Sequence, residues 1–352
     1  MNTRSRTHRT VRVTALVGAA LLATTSLAAC GRGGGAGDSK ADGTVTIMVG
    51  GIDKVIYLPA KLTEQLGYFK DAGVNVKLMT EPSGASAETQ LVANQVQGVV
   101  GFYDHTVTMQ AQGKCIESVV QLAKVPGEVE VVSTKAAGSL TGPADFAGKK
   151  LGVTSAGSST DYLTQYLATK AGVSSKDYTT VAVGAGSTFT SALEQGSIDA
   201  GMTTDPTVAT VLKQGTGKIL LDMRTVEGTE KALGGLYPAA SLYMNCDWVK
   251  KNPQTVQKIT DAFVKTLGWI GSHSAADIAA KMPADYAGSD AALYQSAIEG
   301  TKGTFTTDGV MPESGPKTVL DVLGTFSPDV KAKKDSIDLA KTFTTEFVDK
   351  AK

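Results

Sequence analysis

Gln97-Gly98-Val99-Val100-Gly101-Phe102-Tyr103-Asp104 reads as a helix end, a glycine, a short apolar strand and an acid opening the next helix. Gly196-Ser197-Ile198-Asp199-Ala200-Gly201-Met202-Thr203-Thr204-Asp205 repeats that plan in the second half of the chain. A short apolar run bounded by turn residues fits a fully buried strand. A strand that passes directly into a helix is half of a βαβ unit. The echo therefore predicts two α/β lobes built on one plan. No repeat of 20–50 residues accompanies it.

The same alternation extends outward from both copies. Ahead of the first, Thr44–Val49 and Val74–Thr80 read as strands, with helices over Tyr57–Leu66 and Ala87–Gln95. After it come a helix over Val107–Gln112 and strands over Ile116–Ala123 and Glu128–Thr134. A second series starts at the strand Lys149–Val153, continues in a helix from Ser158, and includes a strand over Val181–Val183 and a helix over Thr188–Gln195. Beyond the second copy follow a helix over Asp205–Gln214 and strands over Ile219–Leu221 and Ala240–Asn245. Strands alternating with helices predict parallel sheet. From Asn252 the pattern is helical, over Pro253–Ile270, Ala275–Lys281, Ala291–Gly300, Lys317–Leu323 and Ser336–Lys350. The last places Ile337, Leu339, Ala340, Phe343 and Phe347 near one helical face, a packing stripe.

Composition narrows the function. The chain has 34 Lys and Arg against 34 Asp and Glu. Without the four arginines of the first 29 residues the balance turns acidic. No basic cluster interleaves with aromatics, so a nucleic-acid partner is not expected. After the first 43 residues the only arginine is Arg224. A site of several bidentate Arg clamps is thereby excluded. An anion must use backbone amides, hydroxyls, Lys or that one Arg. His105 and His273 are the histidines beyond the N-terminal region, and no CxxC or HExxH occurs, so neither a metal site nor a cofactor is expected. Cys115 and Cys246 read either as a disulfide, which an oxidising compartment favours, or as two buried thiols.

The N-terminus sets the compartment. Arg4, Arg6, Arg9 and Arg12 precede the apolar run Val13–Ala29, as in a secretory signal peptide. Leu27-Ala28-Ala29-Cys30 matches the bacterial lipobox, in which the Cys thiol is acylated and the chain is cut just before it. The alternatives are an ordinary signal peptide with a chance Cys, or a membrane helix, for which the run is short of roughly 20 residues. A Gly-rich tether to residue 43 follows. The expected organisation is signal peptide 1–29, tether 30–43, lobe one 44–133 with 238–352, and lobe two 134–237.

In open α/β sheets a ligand sits at the carboxyl ends of the strands. Four loops lie there: Gly50–Asp53, Tyr103–Thr106, Gly157–Tyr162 and Thr203–Pro206. The Ser158-Ser159-Thr160 run suits an anion, because a helix N-terminus offers free N–H groups and a favourable dipole. Plain N-capping explains the same residues. Asp104 and Asp205 sit where caps belong, and either, if turned inward, accepts hydrogen bonds from a ligand. His105 beside Asp104 has no nucleophile placed near it and reads as structural. The candidate ligand-binding set is Gly51, Ile52, Tyr57, Ser83, Tyr103, Asp104, Ser158, Ser159, Thr160, Thr204 and Asp205; no catalytic residue is expected.

These phrases resemble a family. Glu64–Val76, Gly98–Asp104, Asp145–Val153, Gly157–Leu163, Asp199–Pro206 and Val249–Val264 follow the order found in substrate-binding proteins of ABC importers, of the nitrate/sulfonate/taurine and thiamin-pyrimidine group. The resemblance implies a type II periplasmic-binding-protein fold, two α/β lobes joined by two crossover strands, with ligand trapped between them. It implies a small organic anion or heterocycle as ligand, and a permease and cytoplasmic ATPase as partners. A monomer, tied by lipid to the outer face of the cytoplasmic membrane, is expected. Thr203-Thr204 stands where members often carry an aromatic, so stacking there does not carry over. The other readings are an enzyme of pyrimidine-precursor synthesis on the same scaffold and a ligand-binding partner of a sensor receptor.

Overall fold

The computed structural model describes residues 43–351. The signal peptide, Cys30 and all of the tether but Gly43 lie outside them.

Two five-stranded sheets organise the chain. The first half supplies strands β1 (Thr44–Val49), β2 (Asn75–Thr80), β3 (Gly98–Phe102) and β4 (Ile116–Gln121). Between them run helices α1 (Leu58–Gln65), α2 (Tyr68–Asp71), α3 (Gly84–Val92) and α4 (Asp104–Ala111). The second sheet takes β5 (Glu128–Ser133), β6 (Lys150–Val153), β7 (Thr179–Ala182), β8 (Ala200–Thr204) and β9 (Gly217–Asp222). Its helices are α5 (Ser159–Lys170), α6 (Ser187–Gln195), α7 (Thr207–Gln214) and α8 (Val226–Leu233). The chain then returns as β10 (Ala240–Asn245) to the first sheet. Helices follow: α9 (Cys246–Lys251), α10 (Pro253–Ser272), α11 (Ala275–Lys281), α12 (Ala284–Ala287), α13 (Ala291–Lys302), α14 (Gly315–Phe326) and α15 (Pro328–Lys333).

The two echoing stretches become the central strands. The sheet orders are β2-β1-β3-β10-β4 and β7-β6-β8-β5-β9. Both β3 and β8 pair parallel on one side, with β1 and β6. On the other side each pairs antiparallel, with β10 and β5. The sheets are therefore mixed, not purely parallel as the alternation predicts. The antiparallel strand in each is the one the chain enters straight after a crossover, without a helix to reverse its direction. The crossovers hydrogen-bond to each other: Ala239 N donates to Ala123 O at 2.9 Å, and Ala123 N to Ala240 O at 2.9 Å. Fully buried β3 and β8 explain their continuous small and apolar sequences.

The helix expected over 336–350 does not form. Ser118 N donates to Thr342 O and Thr344 N to Ser118 O, both at 2.9 Å, so the segment runs along the edge strand β4. The open sheet edge supplies backbone partners that the helix would have made for itself. The apolar residues, spaced as a stripe, divide between two cores. Phe347 joins the first sheet's core; Ile337, Leu339 and Phe343 pack on the second. Helix α8, absent from the sequence pattern, is fixed by its ends: the Thr225 hydroxyl accepts Gly228 N, and Gly234 closes it with φ +87°. Helix α14 packs against both α5 and α4.

Candidate functional site

The carboxyl ends of the central strands converge on one buried cavity. From the first half come Lys54, Ile56 and Tyr57 after β1, Gly84 at the start of α3, and Phe102 at the end of β3. From the second come Glu128 opening β5, Thr154 with Ser158–Thr160 before and within α5, Ala185, and Thr203 with Thr204 ending β8. The free space is about 20 Å³, room for about one water. The two halves are in contact around this space, where Val55 N donates to Asp205 O at 2.9 Å.

Asp104 stands behind this wall with no exposed surface. It does not cap α4; it is the helix's first residue, and Tyr103 holds the cap position. Its carboxylate accepts from Ser159 Oγ at 2.9 Å and from Tyr237 OH at 2.9 Å. Burial pushes its pKa up, and His105 and the two hydroxyls oppose that rise. His105 is also fully buried; Nδ1 lies 2.6 Å from Glu88 Oε2, and Nε2 lies 4.0 Å from Asp104 Oδ1. Burial lowers its pKa, but the Glu88 carboxylate outweighs this and the net shift is upward. The imidazole presses on the start of α3, where a Cβ on Gly84 would come within 2.9 Å of Nε2.

Sequence reasoning missed the two charged residues of the wall. Lys54 Nζ donates to Gly50 O at 2.8 Å, and burial lowers its pKa to about 8. Glu128 is 3% exposed, and burial raises its carboxyl well above the usual range; Asp104 and Glu130 add to that, and Lys54 opposes it. Glu128 looked like one acid among others in an alternating strand. Only the pairing of β5 with the end of β8 shows that it faces the cleft.

Of the candidate residues, Tyr57, Ser158, Ser159, Thr160 and Thr204 line the cavity. Gly51 and Ile52 lie to one side, where Ile52 N donates to Thr80 Oγ1 at 3.1 Å. Ser83 caps α3 by accepting Ser86 N at 3.1 Å. Tyr103 turns away into the core, with its hydroxyl on Thr342. Asp205 accepts Ala209 N at 3.1 Å, and its other oxygen accepts Arg224 Nη1 and Thr301 Oγ1, each at 3.0 Å. Arg224 is also clamped on Asp222, with Nε to Oδ1 at 3.0 Å and Nη2 to Oδ2 at 2.6 Å. It is held by protein carboxylates.

The hydroxyls of the Ser158–Thr160 run are engaged within the protein. Thr160 Oγ1 accepts Thr154 N at 2.9 Å, Ser158 Oγ donates to Ser155 O at 2.7 Å, and Ser159 is committed to Asp104. The hydroxyls fix the loop and join the halves. These groups do not form a nucleophile and base. Ser159 donates to a carboxylate, and His105 sits beyond that carboxylate, tied to Glu88. Among the described residues no group of three His, Cys, Asp or Glu is placed to hold a metal ion.

The model of the NMT1/THI5-like family matches residues 57–276, more than half of the chain. The chain belongs to this family. No curated protein matches it. Among solved structures, a protein from Bordetella bronchiseptica RB50 is similar, at 36% identity and TM-score 0.83, over 88% of this chain and 96% of that one. The alkanesulfonate-binding protein SsuA from Xanthomonas axonopodis pv. citri is similar at 18% identity and TM-score 0.65, over 88% and 97%. The nitrate-binding protein NrtA from Synechocystis PCC 6803 is similar at 13% identity and TM-score 0.65, over 88% of each chain. At such low identity the last two speak for the fold alone, the periplasmic-binding-protein fold. No helix among the described residues is long and apolar enough to cross a membrane.

Proposed function

We propose that this chain is the extracytoplasmic solute-binding component of an ABC importer. It traps a small polar solute between a lobe built on the first sheet and a lobe built on the second, to which β5 (Glu128–Ser133) belongs although the sequence placed it in lobe one, and delivers it to a permease driven by a cytoplasmic ATPase. Cys30 carries the lipid that keeps it at the outer face of the membrane, and the protein acts as a monomer. The observation that carries this reading is the cavity itself: both halves bring strand ends and helix starts to one small, polar, buried space. Similar proteins named for sulfonate and nitrate binding support the assignment. The Ser159–Asp104–His105 arrangement suits holding a solute and lacks the hydroxyl-to-imidazole bond of an activated serine.

The test is native mass spectrometry of the exported protein, followed by thermal melting with whatever solute co-purifies. A one-to-one complex is expected. Ligand at 100 times Kd should stabilise the fold by about 2.7 kcal/mol. Conversion of that solute to a product during incubation would replace the reading with an enzymatic one.

A further inference from the structure

His105 lies between two carboxylates and has no exposed surface of its own. On one side Nδ1 is 2.6 Å from Glu88 Oε2, on helix α3. On the other side Nε2 is 4.0 Å from Asp104 Oδ1, and that oxygen accepts Ser159 Oγ from the second half at 2.9 Å. Tyr237 OH donates to the other Asp104 oxygen. A polar chain thus runs from Glu88 through His105 and Asp104 to Ser159. It begins near solvent: the Glu88 side chain is 13% exposed and lines a separate pocket of the first half with Met109 and Gln112. It ends in the wall of the cleft.

This chain calls for a second proton on the ring. A neutral imidazole carries one N–H. With that N–H turned to Glu88, Nε2 would aim a lone pair at Asp104, and two largely buried carboxylates would share no cation. The imidazolium supplies an N–H on both sides and one positive charge. The other rings against His105 bring no charge: they are Tyr162 of α5 and Tyr243 of β10, with centroids 5.9 Å and 6.2 Å away. The further groups that face Asp104 are Tyr237, Tyr57 and Glu128, again without a cation. Burial raises the pKa of Asp104, and His105 leads the groups that oppose the rise.

We propose that Glu88 and His105 are positioning residues for closure: a proton held on the imidazole between Glu88 and Asp104 keeps Asp104 an anion, that anion holds Ser159 of the second lobe, and closure on solute therefore takes up a proton. This rests on the solute-binding reading above. An anionic acceptor makes the stronger, charge-assisted kind of hydrogen bond. When the lobes part, Ser159 leaves and water reaches Asp104, whose charge then depends less on His105. The imidazole holds its proton more tightly in the closed form. Affinity thus falls as pH rises through the His105 titration, by at most about tenfold per pH unit, because one proton is linked.

The experiment is imidazole NMR on the exported protein, in which His105 and His273 are the histidines beyond the signal peptide. His273→Asn assigns the two signals. Wild type, Glu88→Gln and Ser159→Ala are titrated, with melting curves to confirm folding. Affinity for the co-purified solute is followed from about pH 5 to about pH 8 in wild type and Glu88→Gln. The expected result is an imidazolium at His105 at neutral pH. Its midpoint falls by about one unit or more in Glu88→Gln, and falls also in Ser159→Ala, although Ser159 belongs to the other lobe. Wild-type affinity drops with pH and Glu88→Gln loses that step; any titration of the solute itself is common to both. A neutral ring at neutral pH, a midpoint unmoved by Ser159→Ala, or one affinity profile for both proteins overturns the inference and leaves the solute-binding reading standing. Absence of any bound solute counts against that reading alone, since the wild-type and Ser159→Ala titrations still decide the proton linkage, as they do if Glu88→Gln fails to fold.

Discussion

Glu130, two residues along β5 from Glu128, has no exposed surface, and neither carboxyl oxygen has a hydrogen-bond partner. Burial alone raises its pKa to about 8. In the unfolded chain it titrates near 4.3. The folded state thus keeps a proton that the unfolded state gives up, so this residue's contribution to stability falls as pH rises from about 4.3 to about 8. Below that window both states are protonated and the penalty vanishes. Glu130→Gln, which keeps the shape and removes the ionisation, should raise the melting temperature strongly at pH 8 and little at pH 4.5. At pH 8 the gain is on the order of a few kcal/mol. Denaturation at both pH values decides it; an equal gain at each would mean that the carboxyl is not held protonated. Sequence could not single out Glu130 or Glu128. An alternating strand with acids at every second position ordinarily shows them to water, and only the assembled fold buries that face.

At the scale of elements, the Cys115–Cys246 disulfide, with Cα atoms 5.6 Å apart, joins the start of β4 to the end of β10. Those ends pair Ile116 with Asn245, whereas the cleft lies at the other end of the ladder, where Phe102 pairs with Ala240. Removing the bridge should therefore cost stability and spare the cleft. The Cys115→Ala/Cys246→Ala double variant is expected to lose about 2–4 kcal/mol in denaturant unfolding. Its affinity for the solute should stay within twofold. A large loss of affinity in a folded double variant would show that the β4–β10 edge controls the cleft. The C-terminal segment teaches a different lesson. Its apolar spacing fits a helix, yet Thr342 and Phe343 run along β4 because an unpaired sheet edge competes for the same backbone groups. Helix spacing records which residues are apolar, not which neighbour is available to bury them.

For the molecule as a whole, hydrogen bonds join the two halves across the cleft, among them Tyr237 OH to Asp104 Oδ2 at 2.9 Å. Val55 N donates to Asp205 O at 2.9 Å, Ser159 Oγ to Asp104 Oδ1 at 2.9 Å, and Thr301 Oγ1 to Asp205 Oδ2 at 3.0 Å. A cleft with room for about one water is too small for a larger solute, so binding requires hinge motion about the two crossovers. X-ray scattering should show a smaller radius of gyration with the co-purified solute than without it. Thr301 does not touch the cavity, so Thr301→Val tests closure apart from contact. It should weaken affinity several-fold, because closure energy enters the observed constant. An unchanged affinity would mean that the Thr301 bond is equally present in the open form.

The sequence by itself determined the frame: the echo of Gly98–Asp104 in Ile198–Asp205 placed the two central strands and the loops that meet at the cleft. Those features are local, since apolar runs, turn residues and helix starts are written in adjacent positions. Whether an acid faces water or the cleft, whether Arg224 is free or clamped, and whether residues 336–350 coil or extend depends on partners far away in the chain. Glu128 meets Thr204, Arg224 meets Asp205, and Thr342 meets Ser118 only after both sheets have formed. Burial and hydrogen-bond competition are properties of that assembled neighbourhood, so the tertiary structure alone decided the cleft's charge.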